Sequence, residues 1–161
     1  MPNVKFYFKV NSFSAQFFAL RDIKAGDQLF YPYCLTDRSR AQRYVDLSPR
    51  SFTCKCSGCL NATPETDKLR VTFKRRIAFF TEALINRPKF DEIMVEAALR
   101  YEKDVLKEGL DADDEYLLLL RAISTGYSKL GKREESRKYS ALMEKFSKFI
   151  QDEFKGIPIP Q

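Results

Sequence analysis

The sequence predicts an α+β fold, in which a β-rich segment of about 50 residues is followed by a cysteine-rich loop and about 90 residues of helices. Three observations support this. Apolar and polar residues alternate near the amino terminus, three of the four cysteines fall within six residues, and apolar residues recur every three to four positions from residue 69 onwards. We divide the chain into 1–48, 49–61 and 62–161.

The β-rich segment begins with "NVKFYFKV", whose alternation is typical of a strand with one apolar side and one polar side. The apolar side consists of Val4, Phe6, Phe8 and Val10. A second apolar run, "AQFFALRDI", leads into a turn at Gly26. The run "QLFYPYC" is a third strand candidate, which Pro32 restricts to a sheet edge or a strand end.

Apolar spacing predicts a first helix beyond the cysteines, with Thr66 or Asp67 as its N-cap and Pro88 after its end. Its predicted buried face comprises Leu69, Phe73, Ile77, Phe80 and Leu84. A second helix is predicted from about Phe90 to Glu108, with Gly109 as its carboxyl-terminal stop. Its predicted buried stripe comprises Ile93, Ala97, Tyr101 and Val105.

A third helix is predicted to begin near the acidic run "DADDE" and to stop at Gly131. A fourth is predicted from Glu134 to Phe154, before a frayed "KGIPIPQ" tail. The spacing of small and aromatic residues in "AISTGYSKLGKREESRKYSALMEKF" is typical of tetratricopeptide-like helical hairpins, although an ordinary antiparallel helix pair with core aromatics explains it equally well.

Composition excludes several functional classes. The chain has no histidine, which excludes Ser-His and Cys-His nucleophilic systems and the histidine-ligated zinc hydrolases. No run resembles a membrane span or a signal peptide, so we expect an intracellular protein, in the nucleus or the cytoplasm. The net charge of +6 is concentrated in residues 1–60, but no dense Lys/Arg run indicates direct nucleic-acid binding.

The stretch "SFTCKCSGCL" places Cys54, Cys56 and Cys59 on one tight loop, in which Gly58 is expected to let the backbone fold back. In a reducing compartment such a cluster more often holds a metal or takes part in redox chemistry than forms disulfides. Three sulfur ligands favour Zn²⁺, whose structural sites have four ligands. Cys34, a carboxylate, water or a residue outside this sequence are the alternatives for the fourth.

The order of "ALRDIKAGDQLFYPYC", an arginine-rich polar stretch and "SFTCKCSGC" resembles the C-terminal half of a SET domain with its post-SET zinc knuckle, of the SMYD-like type found in fungi. The likeness is close over residues 19–59 and looser over the helices. It implies a protein-lysine N-methyltransferase that uses S-adenosylmethionine and Zn²⁺. Its partner would be a protein substrate bearing a lysine, for example a histone.

The resemblance also assigns roles to individual residues. It makes Tyr33 the catalytic tyrosine at a strand end, and it makes Phe52 the side chain that stacks on the adenine of the cofactor. The flanking residues Tyr31-Pro32 and Arg50-Ser51 depart from the family pattern, which leaves the shape of the lysine channel open. Cys34 matches a family position that often carries a cysteine without using it for metal.

The start of the sequence, "MPNV", aligns with the end of the Asn-His-x-Cys-x-Pro-Asn motif of such proteins. The resemblance therefore implies that the fourth zinc cysteine lies immediately before Met1 and that the amino-terminal half of the cofactor site is missing. We expect the chain by itself to be inactive. The alternative is a zinc-knuckle and helical-repeat interaction module that has no catalytic activity.

Overall fold

The computed structural model describes residues 1–89 and 91–154 and has the predicted mixed α+β composition, with one small sheet and mostly helices. Phe90 and the tail "KGIPIPQ" lie outside the described residues. The strands are β1 (Val4–Lys9) and β2 (Ser14–Ala19). The helices are α1 (Arg40–Leu47), α2 (Ser57–Leu60), α3 (Pro64–Val71), α4 (Phe73–Thr81), α5 (Glu92–Lys107), α6 (Tyr116–Lys129) and α7 (Arg133–Phe154).

Strands β1 and β2 form an antiparallel hairpin in which Val4 faces Ala19 and Phe6 faces Phe17. The first strand is thus confirmed, but the expected burial of its apolar side is wrong beyond Val4. Phe6 and Phe8 remain 40% and 42% exposed. The polar side faces the helices instead, because the side chains of Lys5 and Tyr7 both contact Asp114 just before α6.

The third strand expected over "QLFYPYC" is not formed. This segment is bound to the start of β1 through Phe30, whose carbonyl oxygen accepts from the N–H groups of Asn3 and Val4. The side-chain oxygen of Asn3 accepts in turn from the Phe30 N–H at 2.7 Å. Pro32 has no N–H to donate, so a regular ladder cannot continue past that point.

Helix α1 lies in a stretch that the sequence analysis described only as polar. Ser39 caps it, since its hydroxyl accepts from the Gln42 N–H and the Gln42 side chain accepts from the Ser39 N–H. This reciprocal capping box, Ser-x-x-Gln, is a readable signal for a helix start. The helix buries Arg43 and Leu47, which places a guanidinium group beside the cysteine loop.

The first predicted helix is divided into α3 and α4, which meet at Thr72, and it ends in a wide π turn over Glu82–Asn86. Its N-cap is Thr63 rather than Thr66 or Asp67, and Thr66 is the partner in the capping box. The predicted stripe is largely confirmed. The buried members of that stripe are Phe73, Ile77, Phe80 and Leu84.

Helix α5 begins after its N-cap Asp91 and is followed by Gly109, whose φ of +66° is the left-handed conformation expected at such a stop. The predicted stripe is partly wrong, because Ile93 is 62% exposed. Val95 and Ala98 are buried in its place, together with the predicted Tyr101 and Val105.

Helices α6 and α7 form the predicted antiparallel pair, with Gly131 at φ +77° in the turn between them. The Ser124 hydroxyl donates to the Ser136 carbonyl oxygen, and the rings of Tyr127 and Tyr139 lie 5.9 Å apart. The tetratricopeptide-like character of the pair stays a prediction. The core between α4, α5 and α6 includes Leu119, Leu120, Ala122 and Ile123.

Candidate metal centre

The three clustered cysteines converge. The sulfur atoms of Cys54, Cys56 and Cys59 all lie within 4.8 Å of one another. The carbonyl oxygen of Cys56 accepts from the N–H groups of Cys59 and Leu60 as the short helix α2 begins. Sulfurs around a tetrahedral Zn²⁺ are about 3.8 Å apart, given Zn–S bonds of about 2.3 Å. The separation of the trio is therefore compatible with three of the four ligands of a zinc ion.

Gly58 has a different role from the expected one. Its φ is not positive, so the loop needs no left-handed residue there. A Cβ atom at this position would instead lie 3.0 Å from Nη2 of Arg70. A larger residue would require the guanidinium group to shift, so the cysteine loop and α3 meet closely at this point.

Arg43 is a polar neighbour of the sulfur trio. It is buried, and its Nη2 donates to the Gly58 carbonyl oxygen at 3.0 Å and lies 3.8 Å from the sulfur of Cys59. The nearest carboxylate oxygen, Oδ1 of Asp67, lies 3.9 Å from Nη1 of Arg43. A buried cation needs compensating negative charge, and thiolate ligands around a bound metal would supply it. Arg43 thus both positions the loop and favours ionised sulfurs.

The thiols differ in acidity. Burial raises the pKa of Cys59 to about 11, although Arg43 donates a hydrogen bond to its sulfur. Burial also opposes ionisation of Cys56, but hydrogen bonds with the Cys54 and Cys59 thiols outweigh it and lower its pKa. Since a metal ligates thiolates, metal binding here would release protons from this loop and would weaken as the pH falls.

Arg70 joins the cysteine loop to the helical part. It is buried and donates to the carbonyl oxygens of Thr36 and Glu108 at 2.8 and 2.7 Å. Its Nη2 also donates to the Glu108 carboxylate at 2.8 Å. One side chain therefore links the segment after Tyr33 with the end of α5, and it supports the cysteine loop through its contact with Gly58.

The predicted cofactor-site residues lie next to the sulfur trio. The rings of Tyr33 and Phe52 are 5.7 Å apart in an edge-to-face arrangement. Both line a cavity of about 650 Å³ whose wall includes the three clustered cysteines. A cavity of this size is in the range of small-molecule sites. Tyr33 and Phe52 are about half exposed, so they are accessible to a ligand.

Cys34 lines the same cavity but does not belong to the trio of converging sulfurs. Partial burial raises the pKa of its thiol. At the other end of the loop, Met1 packs against Gly58 and Gly109, and the amino-terminal charge contributes to the lowered pKa of Cys56. Met1 thus lies close to the cysteine loop, while the resemblance alone predicts a fourth ligand. That ligand stays a prediction.

Sequence reasoning missed Arg43 and Arg70. Both lie among many exposed arginines and lysines in polar stretches, and no periodicity marks them as buried. The capping box of α1 could have indicated that Arg43 lies on a helix. Which side of α1 faces the cysteine loop depends on tertiary packing, and no local sequence pattern indicates it.

Searches of protein-family models, curated proteins and solved structures found no match to this chain. None of the helices over residues 1–89 and 91–154 has the length and apolarity required to span a bilayer.

Proposed function

We propose that this chain is the C-terminal half of a SET-type, S-adenosylmethionine-dependent protein-lysine N-methyltransferase, with a zinc knuckle at Cys54, Cys56 and Cys59. The observation that carries the proposal is the meeting of three elements at one cavity. The sulfur trio, Phe52 and Tyr33 all line it. The resemblance in sequence predicts these same residues for metal, adenine and methyl-transfer functions, respectively.

The proposed roles follow from the chemistry of each side chain. S-adenosylmethionine, when bound, supplies the methyl group. Phe52 offers an aromatic face to the adenine, and the hydroxyl of Tyr33 is available to orient a neutral lysine amine. The zinc knuckle holds the segment before α2 in place, which fixes Phe52 relative to Tyr33.

The exposed apolar side of the hairpin supports the view that half of the cofactor site is supplied by other residues. Phe6 and Phe17 lie 5.3 Å apart on this side, and Tyr31 packs on both. Tyr31 in turn stacks on Tyr33 at 4.4 Å. The ring of Tyr31, beside the proposed catalytic Tyr33, therefore belongs to an aromatic surface that no other described residues cover.

Cofactor binding tests the proposal. We expect zinc-loaded protein to bind tritiated S-adenosylmethionine in equilibrium dialysis with a dissociation constant on the order of 1 mM, because only part of the site is present to offset the cost of immobilising the ligand. Phe52→Ala should abolish saturable binding. Phe79→Ala, which changes an exposed phenylalanine on α4, should leave it unchanged.

Three results would contradict parts of this proposal. Absence of saturable binding, or equal binding by wild type and Phe52→Ala, would exclude the proposed cofactor site and favour the non-catalytic interaction module. Micromolar affinity would instead show that this chain contains a complete cofactor site.

Tyr33→Phe should leave zinc content and melting temperature unchanged, because the proposed role of the Tyr33 hydroxyl is to orient the amine.

A further inference from the structure

Two members of the sulfur trio, Cys56 and Cys59, are joined by one closed turn of backbone. The carbonyl oxygen of Cys56 accepts from the Cys59 N–H at 2.9 Å. A hydrogen bond from residue i to residue i+3 is typical of turns whose end Cα atoms lie less than 7 Å apart, and disulfides usually join Cα atoms 4.4–6.8 Å apart. The two sulfurs lie within 4.8 Å of each other. The backbone of this pair is therefore suited to a disulfide.

The other two cysteines lack this constraint. Cys54 belongs to the trio, but none of the backbone–backbone hydrogen bonds among the described residues involves it. Cys34 lines the same cavity and lies outside the trio of converging sulfurs. Among the four cysteines, the backbone thus favours Cys56 and Cys59 as the pair that can be joined.

The two sulfurs of this pair differ in their access to solvent. Cys59 is buried, with 3% of its surface exposed, whereas Cys56 is half-buried. Both line the cavity of about 650 Å³ whose wall includes the half-exposed Tyr33 and Phe52. Hydrogen peroxide is small enough to enter this cavity and reaches Cys56 before Cys59. An accessible cysteine next to a second cysteine is the usual arrangement of a reversible redox sensor.

The buried end of the pair is held more firmly than the accessible end. Nη2 of Arg43 donates to the Gly58 carbonyl oxygen at 3.0 Å and lies 3.8 Å from the Cys59 sulfur. Arg70 contacts the same glycine from α3. Residues 52–55, on the accessible side of the pair, belong to no helix or strand and are mostly exposed. Drawing the two sulfurs together therefore displaces the segment that carries Phe52 and leaves the helical core in place.

We infer that hydrogen peroxide reversibly converts Cys56 and Cys59 into a disulfide, and that this oxidation disables the metal centre and the adjoining cofactor site. The disulfide leaves Cys54 as the only thiolate of the trio, which is too few to hold zinc. Phe52 then loses its fixed position relative to Tyr33. This regulatory consequence rests on the proposed function, whereas formation of the disulfide does not.

The reaction is a two-electron oxidation. Peroxide transfers one oxygen atom to the Cys56 sulfur, its O–O bond breaks, and the second oxygen leaves as hydroxide, which takes up a proton to form water. The Cys59 sulfur loses its proton and attacks the sulfur of the resulting sulfenic acid. The S–O bond breaks, and the hydroxyl group takes up a proton and leaves as water. The two sulfurs together lose two electrons, and one peroxide molecule is reduced to two water molecules.

Treatment of the zinc-loaded chain with a small molar excess of hydrogen peroxide tests the inference. We expect release of about one zinc ion per chain, measured with a chromogenic zinc indicator, and a mass decrease of about 2 Da. Peptide mapping under non-reducing conditions should locate the disulfide between Cys56 and Cys59. Dithiothreitol followed by zinc should restore the metal content. Saturable binding of S-adenosylmethionine should be lost on oxidation and should return on reduction.

Variants identify the cysteines that react. Cys34→Ser is the matched control and should release zinc and form the disulfide as the wild type does. Cys54→Ser, treated as metal-free protein, should still form the disulfide. Cys59→Ser should form none and should retain a sulfenic acid on Cys56, which dimedone traps as a stable adduct. Circular dichroism before treatment checks that each variant is folded.

Several results would overturn the inference. These are a wild-type chain that keeps all its thiols under peroxide, a disulfide that includes Cys54 or Cys34, a disulfide between two chains, or irreversible oxidation of Cys56 to the sulfinic acid. The disulfide is also measured on metal-free wild-type protein. Failure of zinc or cofactor binding by the reduced chain would therefore count against the proposed function alone, and failure of the disulfide to form would count against this inference alone.

Discussion

Replacing Cys56 by serine should reduce bound zinc from about one ion per chain to less than about one-tenth and should lower the melting temperature by at least about 6 °C. Cys56 is the middle member of the sulfur trio, and its carbonyl oxygen also accepts the first hydrogen bonds of α2. Loss of one thiolate leaves two sulfurs, too few to hold the ion tightly. The measurements are elemental analysis and differential scanning fluorimetry.

Cys34→Ser is the matched control for this change, because Cys34 lines the cavity without belonging to the trio. It should retain both zinc and stability. A chelator should lower the melting temperature of the wild type to that of Cys56→Ser and leave the variant unaffected. Equal zinc content in the wild type and in Cys56→Ser would refute the ligand assignment.

Arg70→Leu should destabilise the fold by about 3 kcal/mol, which lowers the melting temperature by about 6–12 °C. The change removes the donors to the carbonyl oxygens of Thr36 and Glu108, and it leaves the Glu108 carboxylate without its partner. A buried ion pair that loses one member costs more than a surface pair, since the remaining charge stays desolvated. Urea denaturation measures the difference.

A double variant distinguishes charge from packing at this position. Adding Glu108→Leu to Arg70→Leu removes the orphaned carboxylate and should recover at least about 1 kcal/mol. Arg100→Leu is the control, because Arg100 forms an exposed pair with Glu96 on α5 and should change stability by less than about 0.5 kcal/mol. If Arg70→Leu were as stable as Arg100→Leu, the linking role assigned to Arg70 would be wrong.

Helix ends were predictable where a glycine dictates the backbone. Gly109 and Gly131 end their helices as expected because each adopts a positive φ that other residues avoid. The predicted stripe of α5 is correct at Tyr101 and Val105 and wrong at Ile93, which is apolar but faces solvent. Periodicity alone does not decide which of two adjacent apolar stripes meets the neighbouring helices.

In the hairpin, the alternation of apolar and polar residues predicted the strand but not which of its sides is buried. The sequence pattern places apolar residues on one side of β1, but it contains no information about whether anything covers that side. The structure turns Lys5 and Tyr7 toward Asp114, so the apolar side is open. The three cysteines of the loop were identified from the sequence. The burial of Arg43 beside them could not be predicted, because it depends on the packing of α1 against the loop.

The central claim is that three thiolates close around a zinc ion beside Tyr33 and Phe52. X-ray absorption at the zinc edge, on wild-type protein purified without chelator, tests it most directly. The expected result is about one zinc per chain with at least three sulfur neighbours at about 2.3 Å. A metal-free protein that keeps its native circular dichroism while a thiol reagent titrates all of its cysteines would contradict the account.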